Sequence, residues 1–326
     1  MDAVTEKKKY HNYNRYERGW GPTAALTERQ LDYLQFIFEV GPARTSAVHA
    51  YICPTTQKQN TTNALKLLNR RPNAYLDKPE EQNERKHVDY VDLRYSINIK
   101  GAKKLLENGR ISELQLSIFA RLHARGTARP FWHDALGADY LSSLRLGIKA
   151  DPTLIFLSRY DILAAAPEST RIAKDPFLIK LPSGKTVSPD DISGIGRVRP
   201  DASIVYRYYP REDHTGSQPN RRITSKGSSY AEKMPKYQEA LETGALKAHF
   251  GIKTAPVVVT TVTVSKDTSH AFRRHLKRME GSWRDHLAFF AEPSFNRNHK
   301  ELPPDCRAFT EPYLRAAADP HFINSI

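Results

Sequence analysis

The sequence predicts an α+β protein with two folded units, and three observations lead to this prediction. The chain has 326 residues, which is more than one typical domain needs. Its N-terminal third shows three helical patterns followed by two extended segments, whereas helical and strand patterns alternate further along the chain. The predicted divisions are a basic arm at 1–24, a first unit at 25–110, a linker helix at 111–130, a second unit at 131–293 and a C-terminal tail at 294–326.

The first unit begins with a helix whose two ends are marked in the sequence. Thr27 is a suitable N-cap with Gln30 three residues later, and Gly41-Pro42 ends the apolar pattern that follows. The expected helices are 28–40, about 45–52 and one that begins near Thr55 or Thr56. Two strands around a charged tip at 77–87 come next. This order of three helices and a β-hairpin is typical of a winged helix-turn-helix.

The third helix carries side chains suited to reading DNA. Asn and Gln pair with adenine edges, and Lys and Arg suit guanine and phosphate. The segment from Thr55 to Arg71 contains no acidic residue, which favours a DNA-binding surface over the alternative, a protein-interaction module. The DNA-binding residues predicted here and at the hairpin tip are Lys58, Gln59, Asn60, Asn63, Lys66, Arg70, Arg71, Arg85 and Lys86. Double-stranded DNA is therefore the predicted partner.

The overall composition agrees with a nucleic-acid partner. Lysine and arginine number 50 against 36 acidic residues, the formal charge is +14 and the pI is near 9.6. Such an excess attracts phosphate backbones. The two cysteines, Cys53 and Cys306, lack the spacing of a zinc site and indicate a reducing compartment. Without a signal-peptide pattern or a membrane-length apolar run, a cytoplasmic protein with no membrane partner is expected.

The second unit is expected to be an α/β sandwich. A helix is predicted over 134–148, and extended segments over 153–158, 177–181 and 202–209. Pro235 is expected to open a helix at its first turn, which leaves Lys233 outside that helix. The β-branched run Val257–Val264 predicts a buried central strand. A last helix over about 268–290 carries four basic residues that are candidates for phosphate contact, Arg273, Arg274, Lys277 and Arg278.

An ordered series of short segments spans about residues 26–290. It comprises the winged helix, Phe131-Trp132-His133 at a helix start, Arg199-Pro200-Asp201-Ala202, Lys233 with Tyr237 four residues later, and the buried strand after them. This series resembles the replication-relaxation family of plasmids and mobile elements. The resemblance implies that the second unit is similar to the PD-(D/E)XK nuclease fold, which is restriction-endonuclease-like. It also implies a role centred on DNA binding in plasmid copy control.

A nuclease of this fold needs a carboxylate at the Pro-Asp position, a second carboxylate on the next strand and a lysine two residues beyond it. The two acids hold Mg²⁺, and the lysine orients or activates water. The resemblance places Asp201 and Lys226 in the first and last roles, but Thr224 then stands where the second acid belongs. An electropositive pocket that attracts phosphate is therefore expected, without a bound metal and without DNA cleavage.

The sequence thus predicts a sequence-specific DNA-binding protein of a plasmid, phage or mobile element, which acts in replication, copy control or transcription. Its nuclease-like unit is expected to be inactive, with no cofactor and no small-molecule substrate. One alternative is a Mg²⁺-dependent endonuclease that uses Asp201 and Lys226 and recruits its second acid from Glu212, Asp213 or Asp190. Another is a regulator that docks a replication or transfer protein. A homodimer is also compatible with the sequence.

Overall fold

The structure is a computed structural model, and it describes residues 25–70, 74–84, 92–124, 131–215, 230–292, 303–315 and 319–324. The fold belongs to the mixed α+β class. None of the described helices combines the length and the apolar character that crossing a bilayer requires. The predicted arm at 1–24 lies outside the described residues, as do Arg71, Arg85, Lys86 and Lys226.

The first unit combines four helices with a small antiparallel sheet in the described part of the chain. The helices are α1 (Glu28–Val40), α2 (Thr45–Ile52), α3 (Lys58–Asn69) and α4 (Ile99–Glu107). The strands are β1 (Ala43–Arg44), β2 (Leu76–Asp77) and β3 (Arg94–Ile97), in the spatial order β1-β3-β2. Ala43 pairs with Tyr95, and Leu76 pairs with Ile97.

Helix α1 has the predicted bounds because both of its ends carry local signals. Thr27 Oγ1 accepts a hydrogen bond from Gln30 N at 3.3 Å, and Gln30 Oε1 accepts one from Thr27 N at 2.9 Å. This capping box satisfies backbone donors at the helix start. Gly41 ends the helix with a φ of 96°, a conformation that favours glycine. Leu34 and Ile37 are fully buried, and burying each such side chain contributes about 1.5–3 kcal/mol.

The second unit contains eight described strands, six of which form a mixed sheet. In chain order the strands are β4 (Leu154–Leu157), β5 (Ile179–Lys180), β6 (Thr186–Val187), β7 (Asp191–Val198), β8 (Ile204–His214), β9 (Val259–Thr263), β10 (Leu287–Ala291) and β11 (Leu314–Arg315). The sheet has the order β11-β10-β9-β8-β7-β4, and β5 and β6 pair with each other. Strands β4, β7 and β8 form an antiparallel meander, whereas β9 is parallel to both β8 and β10.

Helices connect and cover this sheet. They are α5 (Glu113–Ala124), α6 (Phe131–Lys149), α7 (Arg159–Ala165), α8 (Glu168–Arg171), α9 (Tyr230–Glu242), α10 (Ala245–Phe250), α11 (Lys266–Leu276) and α12 (Arg307–Thr310). Parallel strands require a crossover connection. Helices α9 and α10 lie in the crossover from β8 to β9, and α11 lies in the one from β9 to β10. Helix α9 therefore follows β8 in the chain and belongs to the connection that leads to β9.

Helix α6 packs closely against its neighbours because it has glycine at two contacts. A Cβ on Gly137 would lie 2.2 Å from Arg211 Nη2, and one on Gly147 would lie 2.3 Å from Phe309 Cβ. Tyr313 is also buried, and its hydroxyl donates to Tyr140 Oη at 3.0 Å. The described part of the C-terminal segment is therefore folded onto the second unit, whereas the sequence predicts a separate tail from residue 294.

A buried ion cluster joins the two units. Asp139 on α6 contacts Nε of Arg44 at 3.0 Å and Nη1 of Arg94 at 2.8 Å, and Arg94 Nη2 donates to its second oxygen at 2.9 Å. All three side chains are almost completely buried. Burial alone would raise the pKa of Asp139, but the two guanidinium groups hold it below its ordinary value. Because both cations come from strands of the first unit, the cluster fixes that unit to α6.

Three expectations for the second unit are wrong. The last helix ends at Leu276 instead of continuing to 290, because Gly281 takes a φ of 106° and the following residues form β10 beside β9. Pro235 lies inside α9, which begins at Tyr230, so Lys233 is part of the helix. The strand β7 is absent from the sequence prediction altogether. The second and third differences bear on the candidate site, because Lys233 contacts Glu212 and Asp190 directly precedes β7.

Candidate metal centre and DNA-binding surfaces

A cluster of metal-ligating side chains lies where β7 and β8 meet the N-terminal end of α6. Asp190 directly precedes β7, and its Oδ2 accepts a hydrogen bond from Asp213 N at 2.8 Å. His133, in the first turn of α6, places Nε2 3.2 Å from the same oxygen. One ligand atom from each of these three residues lies within 4.8 Å of the others. We refer to His133, Asp190 and Asp213 as the triad.

The two acids near the end of β8 face opposite sides of the sheet, because successive side chains in a strand alternate. Asp213 lies on the α6 side, where a Cβ on Gly137 would be 2.9 Å from its Oδ2. Glu212 lies on the α9 side, where Lys233 and Tyr237 both donate hydrogen bonds to its carboxylate. The triad therefore lies on the α6 side of the sheet, and Glu212 lies with its two partners on the α9 side.

Burial changes the protonation of these acids. The pKa of Glu212 is raised to about 7, mainly by burial and further by the charge of Asp190, while Lys233 opposes the shift. Burial also raises the pKa of Asp213, against the opposing charge of Arg211. A group whose pKa lies near neutrality is well placed to exchange a proton under physiological conditions. Glu212 has such a pKa, but its carboxylate is buried and is held by its two partners on α9.

Cations are built into the same site. Arg211 contacts Asp213 Oδ1 through Nε at 2.7 Å and Asp191 through Nη2 at 3.1 Å, and Arg159 pairs with Asp191 at 2.8 Å. Among the described residues, the carboxylates at 190, 191, 212 and 213 face the cations at 159, 211 and 233. The four acids outnumber the three cations, and the raised pKa values of Glu212 and Asp213 reduce this excess of negative charge. This balance differs from the electropositive pocket that the sequence predicts around Asp201.

The donor atoms of the triad fit a divalent metal ion. Carboxylate oxygens are the usual protein ligands of Mg²⁺ and Mn²⁺, and an imidazole nitrogen extends the range to transition metals such as Zn²⁺. Asp190 and Asp213 also line a cavity, which gives an ion a route to them. The triad therefore has the ligand types, the spacing and the access that a metal site requires.

Asp201, the predicted first metal ligand, lies elsewhere. It is exposed in the turn that joins β7 to β8, and its Oδ1 accepts hydrogen bonds from Ser203 N at 3.0 Å and Ser203 Oγ at 2.6 Å. These bonds lower its pKa. The eight residues of β7 separate this turn from Asp190. The assignment of Asp201 to the site is therefore wrong, because its carboxylate closes a turn at the other end of the strand pair.

The sequence contains a second Pro-Asp pair that does reach the site. Pro189-Asp190 stands immediately before β7, and Glu212 lies on the next strand. Two residues beyond Glu212 the chain has His214, whereas an ammonium group reaches Glu212 from Lys233. The residue types expected for the nuclease site are thus present near β7 and β8, but the lysine comes from a helix. Lys226 lies outside the described residues.

Helix α3 presents the predicted base-reading side chains on one face. Lys58, Gln59, Asn60, Asn63 and Lys66 are exposed, and Arg70 is half-buried. Gln59 Nε2 donates to Asn63 Oδ1 at 2.9 Å, so these two amides lie side by side. Leu65 and Leu68 are buried on the opposite face. The helix therefore separates a core face from a polar face of the kind that enters a DNA groove.

The start of α3 differs from the prediction. The helix begins at Lys58, later than expected, because Thr56 N donates to Cys53 O in the preceding turn at 3.1 Å. The side chain of Lys58 is paired with Asp92 at 3.1 Å. Asp92, which lies shortly before β3, thus approaches the first turn of α3, although α3 itself contains no acidic residue.

The basic residues expected on the last helix lie at the end of α11 and just beyond it. Arg274, Lys277 and Arg278 are exposed. Arg273 is half-buried, and its Nε donates to the backbone oxygen of Arg315 at 2.7 Å. Three cations therefore remain available for phosphate contact, whereas Arg273 is occupied in holding β11.

Comparison with models of protein families, with curated proteins and with solved structures yields no match for this chain. The resemblance to the replication-relaxation family therefore stays a prediction, supported by its short segments alone.

Proposed function

We propose that this chain is a DNA-binding protein that cleaves phosphodiester bonds with the help of a divalent metal ion held by the triad. The observation that carries the proposal is the convergence of His133, Asp190 and Asp213 within 4.8 Å of one another. These residues come from three separate parts of the chain. A merely structural ion cluster has no need to line an accessible cavity with two of its acids.

The first unit supports binding to double-stranded DNA. Its order of helix, strand, two helices and two strands, with the sheet order β1-β3-β2, resembles that of a winged helix-turn-helix. In that arrangement the second helix of the helix-turn-helix enters the major groove. Here this helix is α3, which offers neighbouring exposed amides at Gln59 and Asn63.

The order of the elements in the second unit favours a nuclease-like fold. It has a helix, an antiparallel meander of three strands, a helical crossover and a fourth strand parallel to the third. The Pro-Asp pair precedes the second strand of this meander, and an acid of the third strand is held by a lysine. These are the chemical parts that the PD-(D/E)XK resemblance implies, with Asp190, Glu212 and Lys233 in place of the expected residues.

The chemistry divides among the groups of the site. Hydrolysis forms a bond from a water oxygen to phosphorus and breaks one bond from phosphorus to a sugar oxygen, and the water must give up a proton. A divalent ion, when bound, supplies Lewis-acid polarisation of the phosphodiester. His133, Asp190 and Asp213 would hold that ion. The proton that the water gives up passes to solvent, and the sugar oxygen leaves with a proton from solvent. Glu212, held by Lys233 and Tyr237 on the opposite side of the sheet, does not face the ion.

Cleavage can be tested once a binding-site selection on random duplexes has supplied the preferred sequence. Supercoiled and linear DNA containing that sequence is incubated with the full-length protein and Mg²⁺ or Mn²⁺, with EDTA as the control. We expect nicking or cutting that requires the metal. Intact DNA under every metal condition, with the same preparation binding its site, would contradict the enzymatic part of the proposal.

The α3 face is expected to determine sequence preference. Replacing Gln59 and Asn63 with alanine should weaken binding to the preferred site by about 1–3 kcal/mol for each base that is no longer hydrogen-bonded, with little effect on random DNA. Binding to both DNAs is measured by fluorescence anisotropy, with Asn108→Ala as an exposed-amide control just beyond α4. Equal weakening on the two DNAs, or none on either, would show that α3 does not read bases.

The exposed cations at the end of α11 are expected to contact phosphate. Neutralising Arg274, Lys277 and Arg278 should weaken binding to all sequences alike, and should reduce the slope of log affinity against log salt by about 2 to 3, since each phosphate contact contributes roughly 0.9. The control removes the same charge at the exposed Lys174, Lys180 and Lys185. An unchanged slope in the α11 variant would mean that this face stays in solvent.

A second candidate is a DNA-binding regulator without cleavage, as the sequence predicts. The observation that favours it is that Arg211 and Lys233 already neutralise Asp213 and Glu212. In that case the cluster stabilises the sheet, and the role in replication, copy control or transcription comes from binding alone. Specific binding without metal-dependent cleavage would select it. Docking of a partner protein and homodimer formation stay predictions.

A further inference from the structure

A cavity of about 590 Å³ lies at the junction of the two units. This volume is within the range of roughly 300–1,000 Å³ that is usual for small-molecule sites. Residues of α1, β3, α5, α6 and α7 line it, together with Asp190, Arg211 and Asp213. We call it the junction cavity. Because two triad acids are part of its lining, anything that enters it comes next to the candidate metal site.

Aromatic rings form a continuous part of the lining. The rings of Phe38 and Tyr160 stack with their centroids 4.3 Å apart, and Phe119 lies 5.3 Å from Phe38. Phe119 also stacks on His123, with centroids 5.5 Å apart and an interplanar angle of 20°. His123 is exposed, so its imidazole is the outermost ring of this group. The three other rings are buried beneath it, so the exposed imidazole is the flat face of this group on which a nucleobase can stack.

The lining also contains charged groups. Arg159, which is partly exposed and pairs with Asp191, supplies a guanidinium group that suits phosphate, whereas Arg211 is buried in its ion pairs with Asp191 and Asp213. Asp134, half-buried on α6 beside His133, contributes a carboxylate that can accept hydrogen bonds from base amino groups. A purely apolar ligand would contact the rings but not these charged groups. A nucleotide uses both, because its base is flat and its phosphate is anionic.

We propose that the junction cavity receives an unstacked nucleobase of the DNA strand whose phosphodiester lies at the triad. This inference rests on the proposed function and narrows its substrate class to DNA with an unpaired nucleotide, such as a bubble, a flap or a single-stranded end. Taking a base out of a stacked helix has an energetic cost that is smallest for unpaired bases. A cavity of this size has room for one splayed base.

The test compares the full-length protein on a fully paired duplex and on the same sequence with a short unpaired bubble that contains 2-aminopurine. Both measurements use EDTA, so that binding is observed without cleavage. We expect at least about tenfold tighter binding to the bubble, with quenching of the 2-aminopurine fluorescence as its base stacks on the His123 imidazole. Equal affinity for the two DNAs, or unquenched fluorescence in the complex, would overturn the proposal.

Variants of His123 and Asp134, which we call the rim residues of the junction cavity, test whether the unpaired base binds there. His123→Ala and Asp134→Asn should each remove most of the preference for the bubble and leave binding to the paired duplex unchanged. Ser117→Ala, exposed on the same helix as His123 and outside the cavity, is the control. A preference that survives both rim variants would place the unpaired base elsewhere.

Two outcomes distinguish failure of the base-binding cavity from failure of the nuclease. If the fully paired duplex is cleaved as fast as the bubble, and as fast by His123→Ala, the base does not enter the cavity but the nuclease activity stands. If the rim variants behave as expected in EDTA and no metal supports cleavage, the cavity binds a base and the enzymatic proposal is wrong.

Discussion

Asp190→Asn is expected to lower metal-dependent DNA cleavage by more than about 100-fold while leaving DNA binding intact. Changes to groups that only support a metal ligand commonly cost 10–100-fold, so removing a ligand should cost more. Asp190 is the member of the triad that contacts both others, since its Oδ2 lies 3.2 Å from His133 Nε2 and accepts from Asp213 N. Asparagine keeps a hydrogen-bond acceptor there and removes the charge that attracts a cation.

Asp201→Asn provides the matched control for this variant. It makes the same chemical change at the Asp of the Pro200-Asp201 pair, which is exposed in the β7–β8 turn. Cleavage by Asp201→Asn should stay within about twofold of the unchanged protein, as is usual for a surface substitution. Urea unfolding of both variants shows whether either one is misfolded. If Asp190→Asn cleaves normally, or if Asp201→Asn alone loses activity, the assignment of the site is wrong.

Asp139→Asn is expected to destabilise the fold by about 3–5 kcal/mol, because removing one partner of a buried ion pair leaves uncompensated charge in the interior. Two guanidinium groups, of Arg44 and Arg94, depend on this one carboxylate, and the three side chains are at most 2% exposed. The free energy of unfolding is measured by urea titration. The loss should appear as earlier unfolding of both units, since the cluster joins them.

The control for Asp139 is an acid in a surface pair. Glu107 contacts Lys104 at 2.8 Å, and its side chain is 60% exposed. Glu107→Gln should change the free energy of unfolding by less than about 1 kcal/mol, as surface pairs contribute little. Similar values for the two variants, or an Asp139→Asn protein as stable as the unchanged one, would show that the buried cluster does not hold the units together.

The first unit could be predicted in detail because its signals are local. Helix α1 has a capping box at one end, Gly41 at the other and an apolar stripe between them, and each signal acts within a few residues. The bounds of α1 and α2 are therefore confirmed. The start of α3 is harder to predict, because Thr56 belongs to a turn and yet resembles a helix N-cap in sequence.

The second unit is harder to predict because long-range pairing overrides its local pattern. Strand β7 contains Gly194 and Gly196, which weaken the sequence signal of a strand. In the fold they make room for the rings of β8, since a Cβ on Gly196 would lie 2.7 Å from Tyr206 Cε1. Without β7 in the predicted sheet, Asp190 precedes no strand, whereas Asp201 stands directly before the extended segment predicted at 202–209.

The sequence names several of the remaining site residues but does not show that they lie together. Arg211, Glu212 and Asp213 look like a polar loop in sequence, because charged residues are rarely buried without partners. They can lie in a buried strand only because Asp191, Lys233 and other groups from distant segments pair with them. His133 reaches the cluster from a helix of another part of the chain. Only the three-dimensional arrangement shows such partners.

The most direct test of the central claim is a titration with Mn²⁺ followed by electron paramagnetic resonance, without DNA. We predict that the full-length protein binds about one Mn²⁺ per chain at the triad, through the carboxylate and imidazole ligands that suit this ion. This binding should be lost in Asp190→Asn and retained in Asp201→Asn. No bound Mn²⁺, or binding that is the same in Asp190→Asn as in the unchanged protein, would contradict the metal site.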